Sequence, residues 1–363
     1  MTSVPFIWRD GGRHPSTPGS GIFTTNGARI LDPAGRDFVP RGVNVGGTIA
    51  NNGNGWPDFT LNNEFVQGMK SWHCNTVRIT NYVTSKHGWT VKSQALAAGK
   101  TEAQANAEVD ALADRMVRFY LERGMVVMIE CHDMTHASAH DILVQVEQFW
   151  SRFATRWQHE PRVWFNIANE PSLGTDTWLR FTDRVCGVIR NTGARNIIVC
   201  DLMYFASDMS TDFWGAPIPR GWEPGRMDYL IGRWGNLVAS SHNYGGGGTH
   251  VSQANILGQI RHYKDADIPF LYGEVGYPVE GVSANTGNWA WERDAAHNTC
   301  AVAVQEDVGV FWWATAFNDA YRLEGTAGNY QAAVTNPFRP DATLNAAGVM
   351  FKQYLNDSWE ASP

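Results

Sequence analysis

Apolar residues fall into two rhythms along the chain. From Ile22 to Val39 they alternate with polar ones, interrupted at Asn26-Gly27 and at Asp32-Pro33-Ala34-Gly35. Period-two alternation broken by such dipeptides predicts a small antiparallel ribbon. From Phe38 onward, short β-branched runs alternate with longer stretches of helical period. The runs at 39–45, 76–80, 125–131, 163–168, 196–200, 237–241, 270–274 and 308–314 read as strands. Helical patterns lie at 63–72, 102–122, 141–157, 175–191, 252–265, 288–306 and 343–355. The strands are almost continuously apolar, as expected when both faces are buried. Eight strands alternating with helices predict an α/β fold, a closed (β/α)8 TIM barrel carrying an N-terminal β-hairpin. A doubly wound sheet would need a glycine-rich phosphate turn after the first strand, and Gly42, Gly46 and Gly47 do not match that spacing. The expected division is residues 1–37 as an N-terminal segment and hairpin packed on the barrel, and 38–363 as the barrel. The link at 201–236 is long enough to predict a functional loop.

Composition narrows the class. The 363 residues are 43% hydrophobic and 18% charged, an ordinary globular balance. A net charge of −7 argues against nucleic acid and anionic membrane as partners, since both need a positive field. No apolar run reaches the roughly 18 residues of a membrane helix. Residues 1–15 lack the charged and apolar regions of a signal peptide. The cysteines Cys74, Cys131, Cys186, Cys200 and Cys300 have no CxxC spacing and read as buried thiols. Tryptophan is over-represented, with 16 against 17 Phe.

In such a barrel the site lies at the C-terminal ends of the strands, so the polar residue at the end of each apolar run matters most. These are Arg78, His132 with Asp133, Asn169-Glu170-Pro171, Asp201, His242-Asn243-Tyr244, Glu274, and the pair Trp312-Trp313. Glu170 and Glu274 end the fourth and seventh predicted strands and can face each other across the mouth. Two carboxyls about 5–5.5 Å apart suit retaining glycoside hydrolysis, and about 6.5–9.5 Å suits inversion. A buried ion pair with Arg78 is the purely structural alternative for either one. Trp56, Tyr82, Trp89, Tyr204, Trp214, Trp222, Tyr277 and Tyr321 follow strand ends, where aromatic planes could carry the apolar faces of sugar rings or simply pack the loops.

Six segments in order resemble glycoside hydrolase family 5, a retaining, cellulase-like barrel family. They are Asn75-Thr76-Val77-Arg78-Ile79, Met128-Ile129-Glu130-Cys131-His132, Ile167-Ala168-Asn169-Glu170-Pro171, His242-Asn243-Tyr244, Tyr272-Gly273-Glu274-Val275-Gly276 and Phe311-Trp312-Trp313. The resemblance implies Glu170 as acid/base and Glu274 as nucleophile. It implies Asn169 on the sugar 2-hydroxyl, Arg78 and Tyr244 holding the Glu274 carboxylate, and His132 and His242 orienting acid/base and sugar. Trp313 would be the platform beneath the reacting sugar; family members often have Ser after it, where this chain has Ala314. The implied enzyme is secreted, monomeric, free of cofactor and metal, and cuts a polysaccharide internally. A β-1,4-glucan is the first expectation, with mannan, xyloglucan or β-1,3-glucan as alternatives.

Two readings from other classes compete. A non-catalytic carbohydrate-binding barrel would be expected to have lost a glutamate or Asn169, and all are present. A metal-dependent hydrolase finds some support in His132, His136 and His140, spaced four apart, but no Glu follows His132 as HExxH requires. Gly245–Gly248 lacks the Lys-Ser/Thr of a phosphate loop, and Ser241 and His242 point to opposite sides of a strand.

Overall fold

The computed structural model describes residues 21–46, 60–133, 139–206, 222–248, 250–279, 287–314, 321–324 and 336–361. Strands β1 (Thr24–Asn26) and β2 (Arg29–Leu31) form the antiparallel hairpin. Gly27 takes the left-handed conformation its turn requires, at φ 57°. The second predicted turn also forms, with Asp32 Oδ1 accepting from the Ala34 N–H at 2.9 Å.

Eight parallel strands follow: β3 (Arg41–Gly46), β4 (Thr76–Thr80), β5 (Val126–Glu130), β6 (Val163–Asn166), β7 (Ile198–Asp201), β8 (Leu237–Asn243), β9 (Phe270–Val275) and β10 (Gly309–Trp312). Each pairs with the next, and β10 closes onto β3. The fold is a (β/α)8 TIM barrel. All seven predicted helices are present. Two further helices, Val91–Ala97 and Trp222–Trp234, occupy stretches that the sequence pattern leaves as loops. Local capping supports several of the helices. Thr101 and Gln104 form a capping box at the start of Glu102–Glu122, and Asn62, Ser252 and Asn288 accept from first-turn N–H groups. No described helix is long and apolar enough to cross a membrane. All five cysteines are buried free thiols.

Strand parity divides the barrel interior into an apolar floor and a polar mouth. Val126 and Met128 on β5, Trp164 on β6, Val199 on β7, Val238 on β8, Leu271 on β9 and Phe311 on β10 form one cluster. Phe23 and Ile30 of the hairpin region join it, and Phe23 and Phe38 meet the Trp164 ring edge-on. The hairpin thus plugs the N-terminal end of the barrel. Asn236 ties it down, accepting from the Thr25 N–H at 2.8 Å and donating to the Phe23 carbonyl at 2.9 Å. Because side chains alternate, the next inward position on several of these strands lies one layer nearer the mouth. There the residues turn polar: Glu130 on β5, Asn166 on β6 and Asp201 on β7.

Candidate active site

The site is organised around one guanidinium. Arg78, on β4, is fully buried, and each of its five N–H groups has an acceptor. Nε donates to Asn166 Oδ1 at 2.8 Å. Nη1 donates to Asn44 Oδ1 at 2.8 Å and Glu274 Oε1 at 2.7 Å. Nη2 donates to Asn169 Oδ1 at 2.7 Å and reaches Asp201 Oδ2 at 3.4 Å. These acceptors come from β3, β6, the segment after β6, β7 and β9. A planar fork with five fixed donors can join them; a lysine ammonium cannot.

Glu274 accepts from Tyr244 Oη at 2.8 Å as well as from Arg78. Glu170 sits just beyond β6 and is less buried than Glu274, with its Oε1 2.9 Å from His242 Nδ1. An oxygen from each glutamate and a ring nitrogen of His242 all lie within 4.8 Å of one another. His242 Nδ1 is also 3.4 Å from Glu274 Oε2. Glu170 holds a left-handed backbone, φ 41°, immediately before Pro171. That conformation costs a non-glycine residue about 1–3 kcal/mol and is found where surrounding structure enforces it.

Burial is the largest influence on Glu274 and raises its pKa. His242 and Arg78 oppose the rise, Glu170 adds to it, and the net direction is upward. A reading of sequence that weighs only the cation and the hydroxyl favours the ionised form and omits this desolvation. Burial disfavours charge on His242 too, but Glu274, Asp201 and Glu170 surround it and lift its pKa to about 10. Asp201 goes the other way: burial is outweighed by His242 and Arg78, giving about 2. His132 is raised, because Glu130 overcomes the cost of burial. Tyr244, desolvated and facing two carboxyls, is pushed far up and stays a hydroxyl donor.

These shifts make stability depend on pH. His242 has a folded pKa above the unfolded value near 6.5, so its contribution is complete below about pH 6.5 and is lost as pH rises through about 10. Asp201 is depressed, so its contribution is present above about pH 4 and is lost as pH falls through about 2. His242→Gln should therefore flatten the alkaline decline of Tm between about pH 7 and 10. Parallel Tm profiles for variant and wild type would refute the assignment.

The structure brings together Arg78, Asn169, Glu170, His242, Tyr244 and Glu274. His132 stands at the edge of this group. Its Nδ1 is 2.7 Å from Glu130 Oε1, and its ring stacks on Trp313 at 5.6 Å and 12°. Its described side-chain contacts are thus with Glu130 and with the Trp313 and Tyr82 rings. Trp312 and Trp313 face opposite ways. Trp312 is buried among Tyr277 and Phe351, with Nε1 donating to the Tyr321 carbonyl, while Trp313 lies beside His132.

The other aromatics divide. Tyr82 packs between His132 and Trp89, and Trp89 is 42% exposed, so this row leads outward from Trp313. Asp133 supports that loop, accepting from the Val83 N–H at 2.7 Å and from Thr84. Tyr204 sits half-buried in a left-handed turn after β7. Tyr277 takes the packing alternative: it is buried against Trp289, Trp312 and His297. Tyr321 is buried too; it donates to Glu292 at 2.5 Å and meets the Tyr244 ring edge-on. Trp222 begins a helix, and Trp56, Trp214 and His136 lie outside the described residues.

Three residues of the network, Asn44, Glu130 and Asn166, are not singled out in sequence, and Asp201 is singled out only as the polar end of its strand. Each interrupts an otherwise apolar strand or ends one. A polar residue at inward parity near a strand's C-terminal end was the available signal.

A closed parallel barrel with two carboxyls this close at its C-terminal mouth is the architecture of a glycoside hydrolase. The chain belongs to the family Cellulase (glycosyl hydrolase family 5), whose pattern matches residues 31–319. Endoglucanase EG-II of Hypocrea jecorina is 30% identical over 88 residues, covering 22% of this chain and 21% of that protein. The match therefore spans about a fifth of that relative's length. Among solved structures, a β-mannanase from Streptomyces thermolilacinus is 22% identical, with 94% of this chain and 97% of that one covered at a TM-score of 0.64. The catalytic domain of a Thermobifida fusca endoglucanase is 17% identical, with 94% and 100% covered at 0.68. At these identities the likeness is one of fold.

Proposed function

We propose that the protein is a retaining endo-acting glycoside hydrolase that cleaves a β-1,4-linked glucan, with Glu274 as nucleophile and Glu170 as acid/base. The observation that carries this is that an oxygen of each carboxyl lies within 4.8 Å of one from the other, closer than the roughly 6.5–9.5 Å separation of inverting enzymes. In the first step a Glu274 oxygen attacks the anomeric carbon. The glycosidic C–O bond breaks as Glu170 gives its proton to the leaving oxygen. In the second, Glu170 takes a proton from water, the water oxygen bonds to the anomeric carbon, and the Glu274 ester bond breaks. Both carboxyls return to their starting states.

Supporting roles follow from the contacts. Arg78 and Tyr244 orient Glu274 through separate oxygens, leaving its direction of attack little freedom. Arg78 also fixes the amide of Asn169, the proposed donor to the sugar 2-hydroxyl. Trp313 and Trp89 supply stacking surfaces for sugars, with Tyr82 packed as support between Trp89 and His132. Secretion, a monomeric state and a polysaccharide as the natural substrate belong to the same proposal.

Glucan is favoured by the endoglucanase EG-II relative. Mannan is the second reading, since the solved structures of this fold include β-mannanases. Glucose and mannose differ only in the orientation of the 2-hydroxyl, the group assigned to Asn169. The test is hydrolysis of soluble β-1,4-glucan, β-1,4-mannan, xyloglucan and β-1,3-glucan, with product lengths and anomeric configuration measured. The expected result is preferred cleavage of β-1,4-glucan into oligosaccharides of mixed length, with the β-anomer formed first. A first-formed α-anomer would overturn the retaining assignment, and preference for mannan would replace the substrate.

A further inference from the structure

Asp201 has no part in the two steps above, yet it is 2% exposed and meets four groups of the site. Its Oδ1 accepts from Asn166 Nδ2 at 2.9 Å. Its Oδ2 accepts the main-chain N–H of Glu170 at 3.2 Å, and lies 3.4 Å from Arg78 Nη2 and 3.3 Å from His242 Nε2. The other nitrogen of the same imidazole, Nδ1, faces Glu170 Oε1 at 2.9 Å. His242 therefore stands between two carboxyls, hydrogen-bonded through Nδ1 to Glu170 and within ion-pair distance of Asp201 through Nε2, which makes no hydrogen bond among the described residues. A carboxylate on one ring nitrogen sets the protonation and orientation presented by the other. Gly273 makes room for the imidazole, since a Cβ there would stand 2.9 Å from His242 Nε2 and 2.6 Å from Ser240 Oγ.

We propose that Asp201 is a positioning residue for the acid/base step. Through His242 it keeps an N–H directed at the Glu170 carboxyl, and through the Glu170 N–H it holds the left-handed backbone that aims that carboxyl. This rests on the roles proposed for Glu170 and Glu274. When Glu170 releases its proton to the leaving oxygen, the Nδ1–H of His242 stabilises the carboxylate that forms. When Glu170 takes a proton from water, that stabilisation is withdrawn; the proton on His242 is not consumed. Both grips act on the same residue, which distinguishes this role from that of a counter-ion for Arg78. Among the five Arg78 hydrogen bonds, the one to Asp201 is the longest.

The groups facing His242 are Asp201 from β7, Glu274 from β9 and Glu170 from beyond β6. Arg78 from β4 faces Asp201 and Glu274, and Tyr244 shares Glu274. Removing the charge of Asp201 leaves His242 with less negative surroundings, so the imidazolium gives up its proton at lower pH.

The test compares Asp201→Asn with the wild type on a soluble polysaccharide and on two aryl glycosides of one disaccharide, with 2,4-dinitrophenolate and 4-methylphenolate as leaving groups. The expected loss in kcat/KM is about 100-fold on the polysaccharide and the methylphenyl glycoside, the scale of general-acid assistance. On the dinitrophenyl glycoside, which needs little protonation, it should stay under about tenfold. The alkaline limb of the pH profile should move down by about one pH unit. Equal losses on all substrates with an unmoved alkaline limb would overturn the proposal. Should Asp201→Asn fail to fold, the wild-type protein labelled with ¹⁵N-histidine decides. Both ring nitrogens of His242 should stay protonated beyond pH 8, and a titration near pH 6.5 would overturn the proposal. Glu170→Ala and Glu274→Gln are measured alongside. Undiminished turnover in those variants would defeat the carboxyl roles themselves, while their inactivity beside a uniformly impaired Asp201→Asn would defeat this inference alone.

Discussion

Glu274→Gln is expected to lower turnover by roughly 10⁴-fold or more while leaving the protein folded. The amide matches the carboxylate in shape and retains one oxygen for Arg78 or Tyr244, but it cannot form the ester on which the two-step reaction depends. Stability should change little. The lost charge-assisted bond to Arg78 is offset because the buried charge cluster also loses one of its carboxylates. A second variant separates the roles of the two glutamates. With Glu274→Ala, an activated aryl glycoside and azide, the azide enters the space the nucleophile vacated and the product is the α-glycosyl azide. With Glu170→Ala the glycosyl-enzyme still forms, and azide then displaces Glu274 to give the β-azide. Identifying the anomer by NMR checks both assignments, and reversed products would exchange them. Wild-type turnover in Glu274→Gln would end the proposed mechanism.

Arg78→Met should have the largest effect on stability. The guanidinium is fully buried and within 4.0 Å of three carboxylates, those of Glu130, Asp201 and Glu274. Methionine fills much of the volume but leaves those charges without their shared cation. Removing one partner from a buried charged network costs about 3–5 kcal/mol. Part of that loss should disappear at low pH, where the stranded carboxyls take up protons. Activity should fall as well, because Glu274 loses a 2.7 Å contact and its pKa, already raised by burial, rises further. The acid limb of the kcat/KM profile should move to higher pH for the same reason. Arg78→Lys should rescue little, since one ammonium cannot meet acceptors on so many strands. Urea unfolding at pH 7 and pH 5 tests the stability claim. An unchanged midpoint at pH 7 would mean that the network does not support the fold.

The architecture was readable in the chain because a barrel repeats one simple unit. Each strand is a short run of buried apolar residues and each helix has a 3.6-residue period, so local pattern and global fold agree. The same logic brought out Arg78, Glu170, His242 and Glu274, which stand where apolar runs stop. Agreement failed where residues are polar and buried at once. Asn44, Glu130 and Asn166 look, in sequence, like isolated polar interruptions, and Asp201 like a strand end with no stated role. Their partners lie on other strands, so their meaning depends on which side chains share an inward layer. Tyr277 is open in sequence between cleft and packing, and only the fold, which turns it into the core, chooses between them.

The amino-acid order alone settled the eightfold alternation, the hairpin turns and which residues end the strands, because periodicity and turn chemistry are local properties. Only the closed barrel decided that Arg78 would join five acceptors, that His132 would lie along Trp313, and that burial would raise the Glu274 pKa despite its neighbouring cations. Those outcomes depend on distance and on exclusion of water, and both arise only when strands far apart in the chain converge on one mouth.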